Sequence, residues 1–409
     1  MALQLNCNCK REASTEYCGP VLIREDDGED LEISIRRRME TIPISHCISN
    51  IPEKLRGNNS EIYSPKAVSI GPSHHGNSNL MAMEDHKWRY LHEILNRRPR
   101  ISETLGDCIK SLRELELRAR NTYIDVERLI HMGSREFLTM LLIDGCFIIE
   151  LFLKIGISSS KLRDDPLVNT PGKLSILRRD LILLENQIPF FVLQRLFYIL
   201  PVPKQCNRTI TGLALLFFKN IIPAGAEDLQ GKFRREGCHL LDLVRSCYLP
   251  DSPRMPGLRG HVWNSMRNAV ELKAVGIRVR GAADAANIFD VKFEHGVLWV
   301  PRVVVGSLME VVVGNMIAWE QCCGEGAIQF ASSYALLMRS VVRCGNDAKL
   351  LFRRGVFGCS EGQAEGEIHE LFARLCSGVE VRESCYCQVY QQLSEYRRPK
   401  CWSLLLNGC

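Results

Sequence analysis

The residues best suited to chemistry are few and fall at four places along the chain. Ser73, His74 and His75 lie within Gly71-Pro-Ser-His-His-Gly76, Glu84, Asp85 and His86 follow shortly after, and Asp144 and Glu185 each sit inside an apolar run. A nucleophile reading of Ser73 fails on spacing. The segment is one residue too long for a G-x-S-x-G elbow and carries a proline that the elbow does not call for. A metal reading would need His74, His75 and His86 to converge with Glu84 or Asp85, and no H-E-x-x-H-type pairing places two ligands on one helix face. The set His74, His75, Glu84, Asp144 and Glu185 is the one constellation that could serve an enzyme or a metal protein. A buried general base among them would need a second carboxylate or histidine beside it. The structural alternative is a loop fixed by hydrogen bonds, with Trp88 and Tyr90 packed beneath it, and an Asp144 that is paired because it is buried. We prefer that alternative and assign no catalytic, cofactor-binding or metal-binding residue.

The stretch that must position any such site is Asp180-Leu-Ile-Leu-Leu-Glu-Asn-Gln-Ile-Pro-Phe-Phe-Val-Leu193, which sets polar side chains and a proline inside an otherwise apolar run. In a helix, Pro189 could not donate to the carbonyl of Glu185, and its ring would crowd that carbonyl. The helix must therefore bend or restart, with Ile188 as the joint and Pro189 in the first turn of a second helix reaching about Leu200. Glu185, Asn186 and Gln187 then flank the break, where an unpartnered buried backbone group would cost about 1–3 kcal/mol.

With 409 residues, 46% hydrophobic and 24% charged, the chain can bury a sizeable core. The formal charge of +5 is small, and basic residues are dispersed among acidic ones, which argues against a nucleic-acid surface. The 18 cysteines contain no C-x-x-C pair, and several lie in apolar runs, so reduced thiols in a cytosolic body are expected. The sequons Asn58-Asn-Ser60 and Asn207-Arg-Thr209 matter only for an exported chain, and Met1–Pro20 lacks the apolar core of a signal peptide. Two runs approach membrane length. Phe137–Ile157 contains Asp144, Glu150 and Lys154, while Leu181–Pro201 contains Glu185, Asn186, Gln187, Arg195 and a proline. Each central charge costs about 2.5–3.5 kcal/mol on insertion, so both read as core and no transmembrane helix is expected.

Read in order, residues 1–30 are a mobile tail containing Glu25-Asp-Asp-Gly-Glu-Asp30, and Leu31–Met39 is a short amphipathic helix around Arg36-Arg-Arg38. Ile62–Gly76 is turn-rich and extended, and helices are expected at Leu80–Leu95, Ile101–Ile130 and Phe137–Ile155. A loop at residues 158–174 precedes the Asp180 stretch, and Gly212–Ile222 is helical. Pro250–Gly260 is the best boundary or insertion. Beyond it, Ile277–Arg280, Phe289–Phe293 and Val297–Val304 read as a small antiparallel meander with a tight turn at His295-Gly296. Helices resume at Leu308–Cys322 and Gln329–Val342. The fold class is thus mainly α: a large helical body at 31–396 with a small antiparallel β-meander in its C-terminal half, a possible subdivision near 250–260 and a short tail at 397–409.

Several segments, in order, resemble the plant-specific family known as domain of unknown function 247. They are Val68-Ser-Ile-Gly-Pro-Ser-His-His-Gly76, Met83-Glu84 with His86-Lys-Trp-Arg-Tyr-Leu91, Leu141-Leu-Ile-Asp-Gly-Cys-Phe147 and Asp180–Leu193. Asn268-Ala-Val-Glu-Leu-Lys-Ala-Val-Gly-Ile277, Phe293-Glu-His-Gly-Val-Leu298, Asn315-Met-Ile-Ala-Trp-Glu-Gln321 and Ser333-Tyr-Ala335 complete the set, which covers roughly Cys47 to Leu375. Ser73 stands where an aromatic is usual in that family, and Trp319 where phenylalanine is commoner. The resemblance implies a mainly helical plant protein without an established catalytic activity. It also implies a C-terminal transmembrane anchor, which this chain, stopping at Cys409, is expected to lack, and for some relatives a part in pollen–stigma self-recognition. The combined expectation is a non-enzymatic interaction or recognition protein, cytoplasmic or peripheral to a membrane, with unknown protein partners, no nucleic acid and no cofactor. The alternative is an enzyme or metal-binding protein using His74, His75, Glu84, Asp144 and Glu185.

Overall fold

The computed structural model describes residues 47–57, 59–124, 126–157, 165–170, 172–223, 237–249, 266–282, 287–322, 328–359 and 367–396. All of them fall within the compact unit Pro43–Cys409. The expected tails, the Leu31–Met39 helix and the Pro250–Gly260 boundary lie outside the described residues.

The helices are α1 (Glu53–Arg56), α2 (Glu84–Leu95), α3 (Ile101–Arg120), α4 (Glu127–His131), α5 (Ser134–Gly156), α6 (Pro166–Asn169), α7 (Lys173–Asp180), α8 (Phe190–Ile199) and α9 (Ile210–Phe217). They continue as α10 (Leu240–Ser246), α11 (Ala269–Ala274), α12 (Ser307–Cys322), α13 (Phe330–Val341), α14 (Gly345–Arg353), α15 (Ile368–Leu375) and α16 (Cys387–Glu395). The protein is mainly α, with its small sheets concentrated in the C-terminal half.

Helix α5 is apolar on every side, and a helix of that kind is stable only when surrounded. It is: α2, α3, α8 and α9 pack against it, and from Phe137 to Lys154 every side chain except Thr139 is buried. The charges that argued against a membrane span are paired inside the protein. Glu150 meets Arg97 at 2.6 Å, and Lys154 meets Glu93 at 2.6 Å and Asp165 at 3.3 Å. Among the described residues no helix is long and apolar enough to cross a membrane. A second group is built on α12, against which α13 and α15 pack. There Glu320 accepts the N–H groups of Ala331 (2.9 Å) and Ser332 (2.8 Å) at the opening of α13.

The strands are β1 (Ile48–Ser49), β2 (Tyr123–Ile124), β3 (Arg278–Ala282), β4 (Lys292–Glu294), β5 (Val297–Pro301), β6 (Val303–Val305) and β7 (Phe357–Cys359). The β4–β5 hairpin is antiparallel as expected, and His295 and Gly296 at its turn both take positive φ, 50° and 73°. The sheet as a whole is mixed rather than antiparallel. Its order is β3-β5-β4: β5, the last of the three in sequence, lies between the other two, parallel to β3 and antiparallel to β4. The Ile101–Ile130 helix is also interrupted. It ends at Arg120, where Asn121 and Thr122 turn the chain into β2, whose Tyr123 pairs in parallel with Ile48. The expected loop at 158–174 contains a turn of helix, α6, because Asp165 caps it through the N–H of Leu167 (2.8 Å) and Pro166 starts it.

Candidate functional site

The Asp180 stretch does break, but over a wider span than the proline alone requires. Helix α7 ends at Asp180, residues 181–189 form non-helical turns, and α8 begins at Phe190 with Pro189 as its N-cap residue (φ −59°, ψ 135°). The polar side chains hold these turns open. Gln187 Nε2 donates to the carbonyls of Leu181 and Leu183 (both 2.8 Å), and Asn186 Nδ2 donates to that of Asp180 (3.0 Å). Asn315 of α12 accepts the Leu184 N–H at 2.9 Å. Gln187 Oε1 accepts in turn from the N–H groups of Leu240 (3.0 Å) and Leu241 (3.4 Å), at the start of α10.

The same residues reach outward to the segment Lys66–Gly71, which belongs to no helix or strand and bends at Lys66 and Ala67. Asp180 accepts the N–H groups of Lys66, Ala67 and Val68 at 2.7–3.1 Å. Asn186 accepts the N–H of Ile70 (2.7 Å) and donates to the carbonyl of Val68 (3.0 Å), and Asp144 accepts the N–H of Gly71 (2.8 Å). Buried backbone donors need partners, and here three side chains from two motifs, Asp180, Asn186 and Asp144, supply them. Gly71 closes the segment at φ +75°. A Cβ there would lie 2.2 Å from the Gln187 carbonyl oxygen, so the two stretches touch backbone to backbone.

The five residues of the catalytic or metal alternative separate into two places. In the first, Glu185 accepts from the Ile51 N–H (2.7 Å) and from Arg56, and its second oxygen lies 3.8 Å from His74 Nε2. Burial lowers the His74 pKa despite Glu185, so its imidazole is neutral at physiological pH. In the second, Lys87 is buried on α2 with its ammonium on the Ser69 carbonyl, on Asp144 (2.8 Å) and on Glu84 (2.7 Å). Burial opposes the charge on Lys87, but Asp144 and Glu84 outweigh it and hold its pKa above the ordinary value. His75, Glu84 and Asp144 line a common open pocket with Arg135, Glu136 and Met140. His86 does not join His74 and His75 on a metal. Among the described residues no group of three or more His, Cys, Asp or Glu is placed to hold one. The Ser73 hydroxyl is buried without a hydrogen-bond partner. Trp88 is 53% exposed instead of lying beneath the loop, whereas Tyr90 is buried and stacks on Phe147 at 5.3 Å.

Sequence reasoning missed Lys87, although a signal was present. Positions 87, 90, 91, 94 and 95 form the buried stripe of α2, and a lysine on such a stripe must carry its own anion. The same helical period turns Trp88 outward. Asp165 was missed as well. It gathers the Tyr90 hydroxyl (2.9 Å), Arg89 (2.7 Å) and Lys154, and nothing in its loop sequence points to them.

A mainly helical body whose motif carboxylates and amides brace an irregular segment outside any helix or sheet is thus the class that fold and site define. Residues 48–407 match the model of a family described as plant protein of unknown function, DUF247, and the chain belongs to that family. It is 28% identical over 404 residues to UPF0481 protein At3g47200 of Arabidopsis thaliana, covering 93% of this chain and 80% of that protein. It is 33% identical over 157 residues to putative UPF0481 protein At3g02645 of the same plant, covering 38% of this chain and 27% of that one. No solved structure matches the chain.

Proposed function

We infer that this protein is a non-enzymatic interaction or recognition protein, built on residues 31–396 as one domain. The observation that carries the reading is the commitment of Asp144, Asp180, Glu185 and Asn186 to backbone N–H groups of residues 51–71. A carboxylate whose oxygens already accept backbone donors is poorly placed to take a substrate proton. Proximity labelling with the full chain in plant tissue, paired with metal analysis of the purified protein, tests the reading. Reproducible neighbours that surface substitutions remove without changing the melting temperature are expected. Stoichiometric zinc or iron in the purified protein would overturn it.

A cytoplasmic or membrane-peripheral location accompanies this reading. No acidic residue occurs between Asn186 and Ala226, while Arg195, Lys204, Arg208 and Lys219 do, and Tyr198 is 85% exposed. Exposed basic residues without acidic neighbours in sequence suit anionic lipid. Salt-sensitive sedimentation with phosphatidylserine vesicles is expected, and its absence would contradict the peripheral reading.

A further inference from the structure

The pocket beside Lys87 has a composition that the bracing role does not use. One wall is a single stripe of α5, Glu136, Thr139, Met140, Ile143 and Asp144, at the i, i+3, i+4, i+7, i+8 spacing of one helix face. His75 and Glu84 form the other side, and the cavity measures about 420 Å³, within the range that holds small organic ligands.

Charge selects the ligand. All three donors of the Lys87 ammonium are occupied, and both Asp144 oxygens are taken by Lys87 and the Gly71 N–H. Lys87 has no donor left for a ligand, and Asp144, only 3% exposed, offers one little surface. The trio Glu84, Lys87 and Asp144 holds one more carboxylate than cation, and Glu84, which meets Lys87 through one oxygen, is 24% exposed. Glu136 adds a second carboxylate at the rim, 3.8 Å from His75 Nε2. The single cation in the lining, Arg135, is exposed at the mouth. An anion would meet three carboxylates, and a wholly apolar ligand would strip water from Glu84 without replacing it.

We propose that this pocket binds an organic cation, an ammonium or guanidinium on an apolar stem. The cation lies against Glu84 and Glu136 and the stem lies on Met140 and Ile143. The cation is either a free amine or the basic side chain of a protein partner. The inference stands on the cavity and its charges and does not depend on the interaction reading above.

Titration of the full chain with benzylamine, benzyl alcohol, benzoate and a capped Gly-Lys-Gly peptide, followed by calorimetry or NMR, tests it. Benzylamine is expected to bind saturably and about tenfold or more tighter than benzyl alcohol, the ratio that one charge-assisted hydrogen bond provides. Benzoate is expected not to bind. The peptide matching benzylamine assigns the site to a partner's side chain, and the peptide failing to bind assigns it to a free amine. Thr139→Trp, a change at an exposed rim position, should abolish binding with the melting temperature unchanged. Glu84→Gln should erase the preference for the amine over the alcohol. Equal binding of alcohol or benzoate, benzylamine binding that survives Thr139→Trp, or no saturable binding of benzylamine would each overturn the proposal.

Discussion

Glu185 is one of the five residues of the catalytic or metal alternative, and its surroundings give it a structural task. Its oxygens meet the Ile51 N–H, Arg56 and the neutral His74. Glu185→Leu would leave a buried N–H and a half-buried guanidinium without their acceptor, at a cost of about 2–4 kcal/mol. Urea unfolding should record that loss, and a variant of native stability lacking only a biochemical function would contradict it. A second prediction concerns acid. Burial, with Arg245 adding to it, holds His239 below its ordinary value of 6.5 against the opposing influence of Asp242 and its bond to the Cys47 carbonyl. Burial also holds His74 below that value. Below 6.5 the unfolded chain binds more protons than the folded one. Stability present above that pH is therefore lost on acidification, by at most about 1.4 kcal/mol per pH unit for each histidine. His239→Asn keeps an acceptor for the Asp242 N–H and should flatten the slope between pH 6.5 and 5 (about one group's share). An unchanged slope would show that His239 does not titrate in this way. The importance of Glu185, Asn186 and Gln187 was legible because polar residues in an apolar run need partners. Which partners they take was not legible, since Ile51, Ile70 and Leu240 are distant in sequence.

At the scale of elements, the segment Lys66–Gly71 is bonded to Asp180 and Asn186 and approaches the backbone of Gln187. Gly71→Ala places a Cβ against the Gln187 carbonyl at a left-handed backbone position. It should destabilise by several kcal/mol, by both strain and clash. Gly133→Ala, with nothing within 4 Å, should change stability by less than about 1 kcal/mol. Equal effects of the two substitutions on denaturant midpoints would contradict the close approach. Pro189→Ala should be mild, about 1 kcal/mol or less, because side chains and not the ring hold residues 181–189 out of a helix. Pro189 and Ile188 correctly announced a break, yet a proline marks one position and says nothing of its width. The hairpin was legible from His295-Gly296, whereas the parallel partner β3 was not, since no turn signal says which of β4 and β5 lies beside it.

For the whole molecule, the helices around α5 and the helices around α12 meet across the 181–189 turns, where Asn315 bonds Leu184, the Ile62 carbonyl and its own helix. The mainly helical class and the buried nature of α5 followed from periodicity and from the charges inside its apolar run. The meeting of the two groups did not, because Asn315 looks in sequence like any polar residue on a helix. The central claim is that motif side chains, not a sheet or helix, satisfy the backbone N–H groups of Lys66–Gly71. Hydrogen exchange at the amides of Lys66, Ala67, Val68, Ile70 and Gly71 tests it most directly, in the native protein and in Asp180→Ala. Native amides should be strongly protected although they belong to no sheet, and Asp180→Ala should expose those of Lys66, Ala67 and Val68 first. Fast exchange in the native protein, or full protection in Asp180→Ala, would contradict the account.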